Sequence, residues 1–296
     1  MKNRISYKWH SSITPWLFIL PTLVGLIVFR LIPIGASFYL SFTDWNLLSQ
    51  PQWIGLGNYS ELIREGEFAT VVLNTLQFSF IFVAGSMILG LALAVMINVH
   101  VHGISVFRAM IYLPVVTSNV AIGIIWNWML GPTYGIVCNI IETLGMTPPY
   151  FLSDPKLALT TVAMVHMWKM SGYYMILFLT GLQNVPTEVL ESAYCDGANN
   201  RQTFFKITLP MLKPTVFFVL TIALIDSFKN FELIYSMTKG GPGISSTTLV
   251  YDVYLNAFQF YRVGYASAVS FILLLFVGAF TIFNFWIRKH HAQPLD

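Results

Sequence analysis

The sequence predicts an all-α integral membrane protein with six transmembrane helices and both termini in the cytoplasm. Three observations carry that reading. The 296 residues are 56% hydrophobic and only 10% charged, whereas soluble domains carry about 25% charged residues. Six apolar stretches each reach the roughly 20 residues a helix needs to cross the hydrocarbon core. Lys and Arg fall unevenly on the segments between those stretches, which is the bias that orients membrane proteins. The net charge of +3 is too small, and the basic residues too scattered, to argue for nucleic acid.

The spans are expected at 14–41, 70–98, 106–130, 157–182, 211–236 and 265–287. The first follows Met1–His10, which carries Lys2, Arg4 and Lys8. A cleaved signal peptide does not fit, because the apolar run is too long and no small-x-small site follows it. The second carries Ser86, Gly90 and Ala94 in register, and small residues so spaced let helices approach closely. With the N-terminus inside, nine basic residues are cytoplasmic: Lys2, Arg4, Lys8, Arg108, Arg201, Lys206, Lys213, Arg288 and Lys289. Four are external: Arg64, Lys156, Lys239 and Arg262. The chain therefore divides into a cytoplasmic segment 1–13, a membrane domain 14–287 with a cytoplasmic loop 183–210, and a tail 288–296. The external pieces 43–69, 131–156 and 237–264 are short and rich in Gly, Pro and Trp, as ordered caps are. Cys138 and Cys195 fall on opposite sides of the membrane, so no disulfide is expected.

The sequence offers no chemistry of its own. It lacks a Gly-x-x-x-x-Gly-Lys-Ser/Thr phosphate loop; Gly240-Gly241-Pro242-Gly243 has no following Lys. It has neither His-Glu-x-x-His nor Gly-x-Ser-x-Gly. The His residues are dispersed, so no metal or other cofactor is expected in this chain.

Polar residues within the spans say more, because charge in lipid is costly and usually functional. His166, Lys169, Met170 and Tyr173 share one face of the fourth span. In the fifth, Asp226, Lys229 and Glu232 are spaced by three, so one Lys could bridge two acids; Ser227 and Asn230 lie beside them. Two such stripes suggest a water-filled cavity for a polar solute. A purely structural ion network, with Lys169 snorkelling, is the other reading. Arg30, toward the outer end of the first span, reads as snorkelling or facing other helices.

The loop between those two spans is unusual. It reads Glu191-Ser192-Ala193-Tyr194-Cys195-Asp196-Gly197-Ala198, then Phe204-Phe205-Lys206-Ile207-Thr208-Leu209-Pro210. It resembles the coupling loop of binding-protein-dependent ABC importer permeases, whose signature is Glu-Ala-Ala, three residues, Gly, then Ile-x-Leu-Pro. Ser192 replaces one Ala. The resemblance runs nearly end to end. Phe38-Tyr39-Leu40-Ser41-Phe42-Thr43-Asp44-Trp45, Gly55-Leu56-Gly57-Asn58-Tyr59, Asn74-Thr75, Phe107-Arg108 with Leu113-Pro114, Leu182-Gln183-Asn184-Val185-Pro186, and Phe231-Glu232-Leu233-Ile234-Tyr235 before Gly240-Gly241-Pro242 resemble maltose-type sugar permeases.

That resemblance implies a type I ABC importer permease in a bacterial or archaeal cytoplasmic membrane. It implies a second, homologous permease, two ATPase subunits that hold ATP and Mg, and an external solute-binding protein. It implies a sugar at mid-membrane against His166, Lys169, Met170, Tyr173, Ser227 and Asn230, of which His166, Lys169 and Met170 depart from the maltose pattern. Glu191, Ser192, Ala193, Asp196, Gly197, Ala198, Leu209 and Pro210 would couple to the ATPase. A polyol or sugar phosphate such as glycerol 3-phosphate is a related cargo. An ion-coupled secondary transporter would use Asp226, Lys229 and Glu232 as a relay, but would normally show internal repeats, and none is visible. A membrane scaffold would need no polar stripes.

Overall fold

The first apolar stretch lies in a helix that starts well ahead of it. In the computed structural model, which describes residues 3–99 and 101–291, with side chains for 15–99 and 101–286, α1 spans Asn3–Leu26 and α2 Ile32–Leu40. Of the expected cytoplasmic segments 1–13 and 288–296, residues 1, 2 and 292–296 lie outside the described residues. A π-helical turn, Ile27–Leu31, joins α1 to α2. Pro33 explains it: proline has no N–H for the carbonyl four residues back, and a wider turn absorbs the mismatch. Arg30 lies in that turn and is exposed.

A two-stranded antiparallel ribbon follows, β1 Thr43–Asp44 with β2 Gln52–Trp53. Then come α3 Gly57–Arg64, α4 Gly66–Ile97, α5 Ile104–Val116, α6 Asn119–Met129, α7 Ile136–Thr143 and α8 Ala158–Gln183. Next are α9 Thr187–Cys195, α10 Asn200–Thr203, α11 Leu209–Met211, α12 Lys213–Lys229 and α13 Glu232–Met237. The described chain ends with α14 Leu249–Tyr254 and α15 Val263–His291.

Among the described residues, three helical stretches are long and apolar enough to cross a membrane: Pro15–Leu40, Gly66–Ile97 and Val263–Trp286. Two of the expected spans are not single straight helices. The stretch expected at 106–130 is α5 and α6, bent by 94°. The one expected at 211–236 ends as a helix at Lys229 and resumes at Glu232. A further joint, between Asn200–Met211 and Lys213–Lys229, bends by 64°. The stretch expected at 157–182 is α8, whose 26 residues extend about 39 Å at 1.5 Å per residue. Its polar face keeps its mean hydropathy low.

The chain divides into two compact units. One is Met1–Arg64 with Val253–Phe271. In it Asn58 donates from Nδ2 to the carbonyls of Ser41 (2.8 Å) and Thr43 (2.9 Å), and the Tyr59 hydroxyl donates to Ser41 Oγ (2.8 Å). Phe42 stacks on Trp53 at 5.5 Å, and Arg262 pairs with Glu61. The pieces Phe38–Trp45 and Gly55–Tyr59 thus tie one cap together.

The other unit is Glu65–Asp252 with Ile272–Asp296. At its centre α4 packs along α8. Ser86, Gly90 and Ala94 are all buried there, and a Cβ on Gly90 would stand 2.8 Å from that of Tyr174. On the opposite side of α8, a Cβ on Gly172 would stand 2.4 Å from the Ile111 carbonyl of α5. Phe78, Phe82, Tyr174, Met175 and Phe178 fill the space between, each 1% exposed or less. Asn74 Nδ2 donates to the carbonyls of Ile244 (2.9 Å) and Thr247 (3.0 Å), and Thr75 Oγ1 accepts from the Leu249 amide at 2.9 Å. Asn74-Thr75 therefore pins the loop that carries Gly240-Gly241-Pro242. Cys138 is buried, Cys195 is exposed, and both are free.

Removing one partner of a buried hydrogen bond costs about 1–3 kcal/mol. Asn74→Ala is expected to loosen residues 244–249 by that amount, read as faster amide hydrogen exchange there with the rest of the chain unchanged. Unchanged exchange in that loop would mean that Asn74 does not hold it.

Candidate functional site

The polar faces of α8 and of the α12–α13 stretch meet directly. Asn230 Nδ2 lies 3.3 Å from His166 Nδ1, a buried pair 64 residues apart in sequence. The His166 ring packs against α4: its centroid is 4.1 Å from that of Phe82, stacked, and 5.9 Å from that of Phe78. Asn230 is where α12 breaks, its backbone extended at φ −71°, ψ 106°. One turn further along α8, Lys169 Nζ donates to the Val115 carbonyl at 3.1 Å. Val115 closes α5 just before the bend, where the unpaired carbonyls and the helix dipole both favour a cation. Ser227 Oγ returns to the Leu224 carbonyl at 2.7 Å.

Of the six residues expected to face a solute, His166, Lys169, Ser227 and Asn230 are 3–6% exposed. Met170 and Tyr173 are half-buried. Within this chain the two stripes touch rather than stand apart around water. Three concavities stand out, and none is lined by any of the six. The largest, about 470 Å³, is an apolar groove between α4, α12 and α15, lined by residues such as Phe80, Met87, Leu224 and Phe280. A second, about 350 Å³, lies among Asn127, Tyr150, Ser153, Thr238 and Pro242.

The helix break bears on one member of the expected ion network: α12 carries both Asp226 and Lys229 and ends at Lys229, whereas Glu232 opens α13. Among the described residues no ion pair joins Lys229 to Asp226 or Glu232, and Lys229 is exposed. Asp226 instead accepts from the Tyr174 hydroxyl at 2.9 Å. Glu232 accepts from Asn119 Nδ2 of α6 at 3.4 Å. Tyr174 was not singled out from the sequence. An acid in an apolar span needs a donor, but nothing local points to a Tyr 52 residues away.

The loop 183–210 folds as α9 followed by a helical run in which α10 passes through a π-helical turn, Phe204–Thr208, into α11. α9 ends at Cys195 in a Schellman motif: the Ala198 amide donates to the Ala193 carbonyl (2.9 Å), and the Gly197 amide to that of Tyr194 (3.0 Å). This geometry needs a left-handed residue, and Gly197 has φ +80°. Ala193 is buried, whereas Glu191, Ser192, Asp196 and Gly197 are exposed. Ala198 and Leu209 are half-buried, and Pro210, exposed, sits in the first turn of α11. Asn199 then starts α10 with a full capping box. Its side chain accepts from the Gln202 amide, and Gln202 Oε1 accepts from the Asn199 amide, both at 2.9 Å. Asn-x-x-Gln was readable as that box and was missed. So were Tyr194 and Phe205, which are 51% and 64% exposed on the same loop.

The short helix α9, closed at its C-terminus by the Gly197 turn, thus lies between two polar-faced helical stretches. The chain belongs to the binding-protein-dependent transport system inner membrane component family, whose description matches residues 86–294. It is 36% identical over 294 residues to the probable ABC transporter permease protein YesP of Bacillus subtilis strain 168, covering 96% of this chain and 94% of that one. It is 32% identical over 279 residues to the trehalose/maltose transport system permease protein MalF of Thermococcus litoralis, covering 93% of each. Its fold is that of a solved chain from a bacterial ABC transporter involved in the import of the acidic polysaccharide alginate. The TM-score is 0.85 at 24% identity, covering 98% of this chain and all of that one. The fold is thus of the type I ABC importer permease kind, and the chain is a multi-pass inner membrane protein.

Tyr174→Phe removes the one hydrogen bond that the described structure gives Asp226. Hydrogen bonds to charged groups are worth about 1.5–3 kcal/mol, so the variant is expected to lower thermal stability in detergent, while Lys229→Met has little effect. The reverse order of the two would restore the Lys-centred network.

Proposed function

We propose that this chain is one permease half of an ATP-driven importer for a sugar or oligosaccharide. It would cross the membrane six times, with both termini and the loop 183–210 in the cytoplasm. Counting each bent pair as one span gives five, and α8 supplies the sixth by its length. The observation that carries the reading is α9: a short helix with an exposed Glu191, ended by Gly197, at the position the family's coupling motif occupies. The trehalose/maltose system of the MalF relative supports a sugar as the cargo. The solute would be a carbohydrate rather than a polyol or glycerol 3-phosphate.

A homologous second permease would complete the pathway. The Pro15–Leu40 helix is apolar and unburied within this chain, which suits it to lipid and to that second subunit. An external solute-binding protein would deliver the sugar, as in the solved alginate complex with its bound periplasmic protein. Two ATPase subunits would bind ATP and Mg and receive α9 in a surface cleft. There Glu191 would meet a basic residue, Ser192, Asp196 and Ala198 would line the contact, and Tyr194 and Phe205 would bury apolar area. Leu209 and Pro210 would fix the start of the returning helix. Closure of the ATPases would draw the paired α9 helices together and rock the permease halves from inward- to outward-facing.

The solute path would follow the face of α8 and α12 that carries His166, Lys169, Met170, Tyr173, Ser227 and Asn230. Tyr173 and Met170 are the members within reach of solute; the four buried ones form the wall behind them. Tyr173 offers a ring for the apolar face of a sugar and a hydroxyl for its polar edge. An ion-coupled transporter would need Asp226, Lys229 and Glu232 to exchange protons or ions along one line, and the break at Asn230 speaks against such a relay.

Glu191→Lys is expected to abolish uptake and release the ATPase subunits on purification while the permease stays folded. Gly197→Val forces a β-branched residue into the left-handed region, which costs about 1–2 kcal/mol. It should weaken ATPase retention, whereas Gly197→Asn should keep it. Full retention and uptake by Glu191→Lys would remove α9 from the coupling role. Separately, Tyr173→Ala should cut sugar uptake with complex assembly and basal ATP hydrolysis intact; normal uptake would put the sugar contacts elsewhere.

A further inference from the structure

Four half-helix ends come together beside one turn of α8. α5 ends at Val116 and α6 begins at Asn119; α12 ends at Lys229 and α13 begins at Glu232. Irregular backbone away from water must find partners within the protein. Here the partners are side chains. Lys169 Nζ holds the Val115 carbonyl at 3.1 Å, at the end of α5. His166, three residues earlier on α8, meets Asn230 at 3.3 Å, in the other break. Glu232 links the two breaks, because it accepts from Asn119 at the start of α6 and lies close enough to Lys169 to attract it electrostatically. The Lys169 amine thus meets the C-terminal end of α5, and the residue is only 4% exposed.

We infer that His166 and Lys169 are positioning residues that form a two-pronged brace on α8, holding both helix breaks in fixed relation to it. Lys169 acts in transport through the Val115 carbonyl and not by touching solute. His166 is held in turn by the Phe82 and Phe78 rings of α4, so the brace has a rigid footing. Lys169 Nζ spends one of its N–H donors on the Val115 carbonyl, and the residue lines none of the three concavities described above. The inference rests on the importer reading only for its ATPase readout, because the geometry of the break exists without solute or nucleotide.

The test is pulsed electron paramagnetic resonance on the full chain together with the subunits that co-purify with it. The native thiols Cys138 and Cys195 are replaced by Ser, and spin labels are placed at Val106 on α5 and Trp128 on α6, both exposed in this chain. The distance between them reports the α5–α6 bend, with no nucleotide and again with ATP trapped by vanadate. Wild type and Lys169→Arg should give the same narrow distribution. Lys169→Gln, which keeps an N–H for Val115 without the charge, should stay close to it. Lys169→Met should broaden it, and ATP hydrolysis by the complex should fall on the order of tenfold, the scale of one lost hydrogen bond to a charged group. A wild-type distribution in Lys169→Met overturns the inference and returns Lys169 to the solute. Should Lys169→Met not assemble, Lys169→Gln decides, since a broadened distribution there means that the charge and not the carbonyl contact matters. If no ATPase subunit accompanies the wild-type chain, the importer reading fails while the distance measurement still judges the brace.

Discussion

Breaking a helix where there is no water creates a debt of hydrogen bonds, and this structure is organised around meeting it. Each freed backbone group costs several kcal/mol in hydrocarbon. Side chains close several of the helix ends described. Lys169 Nζ donates to the Val115 carbonyl, and Asn127 Nδ2 donates to the Met237 carbonyl at 2.6 Å where α13 ends; at the α12–α13 break Asn230 and His166 join side chain to side chain. Arg108 donates to the Ile97 carbonyl at 3.2 Å, close to where α4 ends. A chain with so few charged residues keeps these because they close helix ends, which is why they sit at the bends and not at random along the spans.

The small residues belong to the same construction. Lys169 has its carbonyl acceptor because α5 lies hard against α8, and Gly172, one turn along, allows that approach at the Ile111 carbonyl. On the other side Gly90 lets α4 close on Tyr174. That brings Phe82 over His166 and leaves the Tyr174 hydroxyl free to reach Asp226. Packing and capping are thus coupled: enlarge either glycine and the side chains that close the helix ends lose their registration. The stripe Ser86, Gly90 and Ala94 is a packing surface.

The apolar stretches were legible because hydropathy over 20 residues is a dense signal. The breaks were not. Pro114 sits three residues before the α5–α6 bend, but proline is also tolerated within membrane helices, so it did not announce one. Asn230 breaks α12 with neither Gly nor Pro beside it. That break takes Glu232 off the helix that carries Asp226 and Lys229, so the spacing of three keeps its helical meaning only for the first pair. The stripe on α8 was legible as a polar face. What each of its members touches depends on residues such as Val115, 54 positions away, and no local pattern encodes that. The segment proposed to couple lies at the other extreme. Its helix stop is written in a few adjacent residues, Ala193 to Gly197, and it was legible because the physics is local.

Connectivity joins these two regions into one mechanical path. α8 passes into α9 through Asn184-Val185-Pro186 alone, and α9 returns through the Asn199–Gln202 capping box and α11 into α12. The turn after α9 is fixed by backbone bonds at Ala198 and Gly197, and the next helix starts fully capped, so little slack lies between them. A force applied to α9 would reach α8 at one end and α12 at the other, through the 64° joint at Leu212. Both helices then lead to the same place, where His166 meets Asn230. A rigid footing matters there. If the two breaks could flex independently of α8, displacement entering at α9 would be lost in bending before it reached the opposite side of the membrane. Bracing both breaks from a single helix turn would make the half-helices move with α8, as the rocking proposed for a permease half would require.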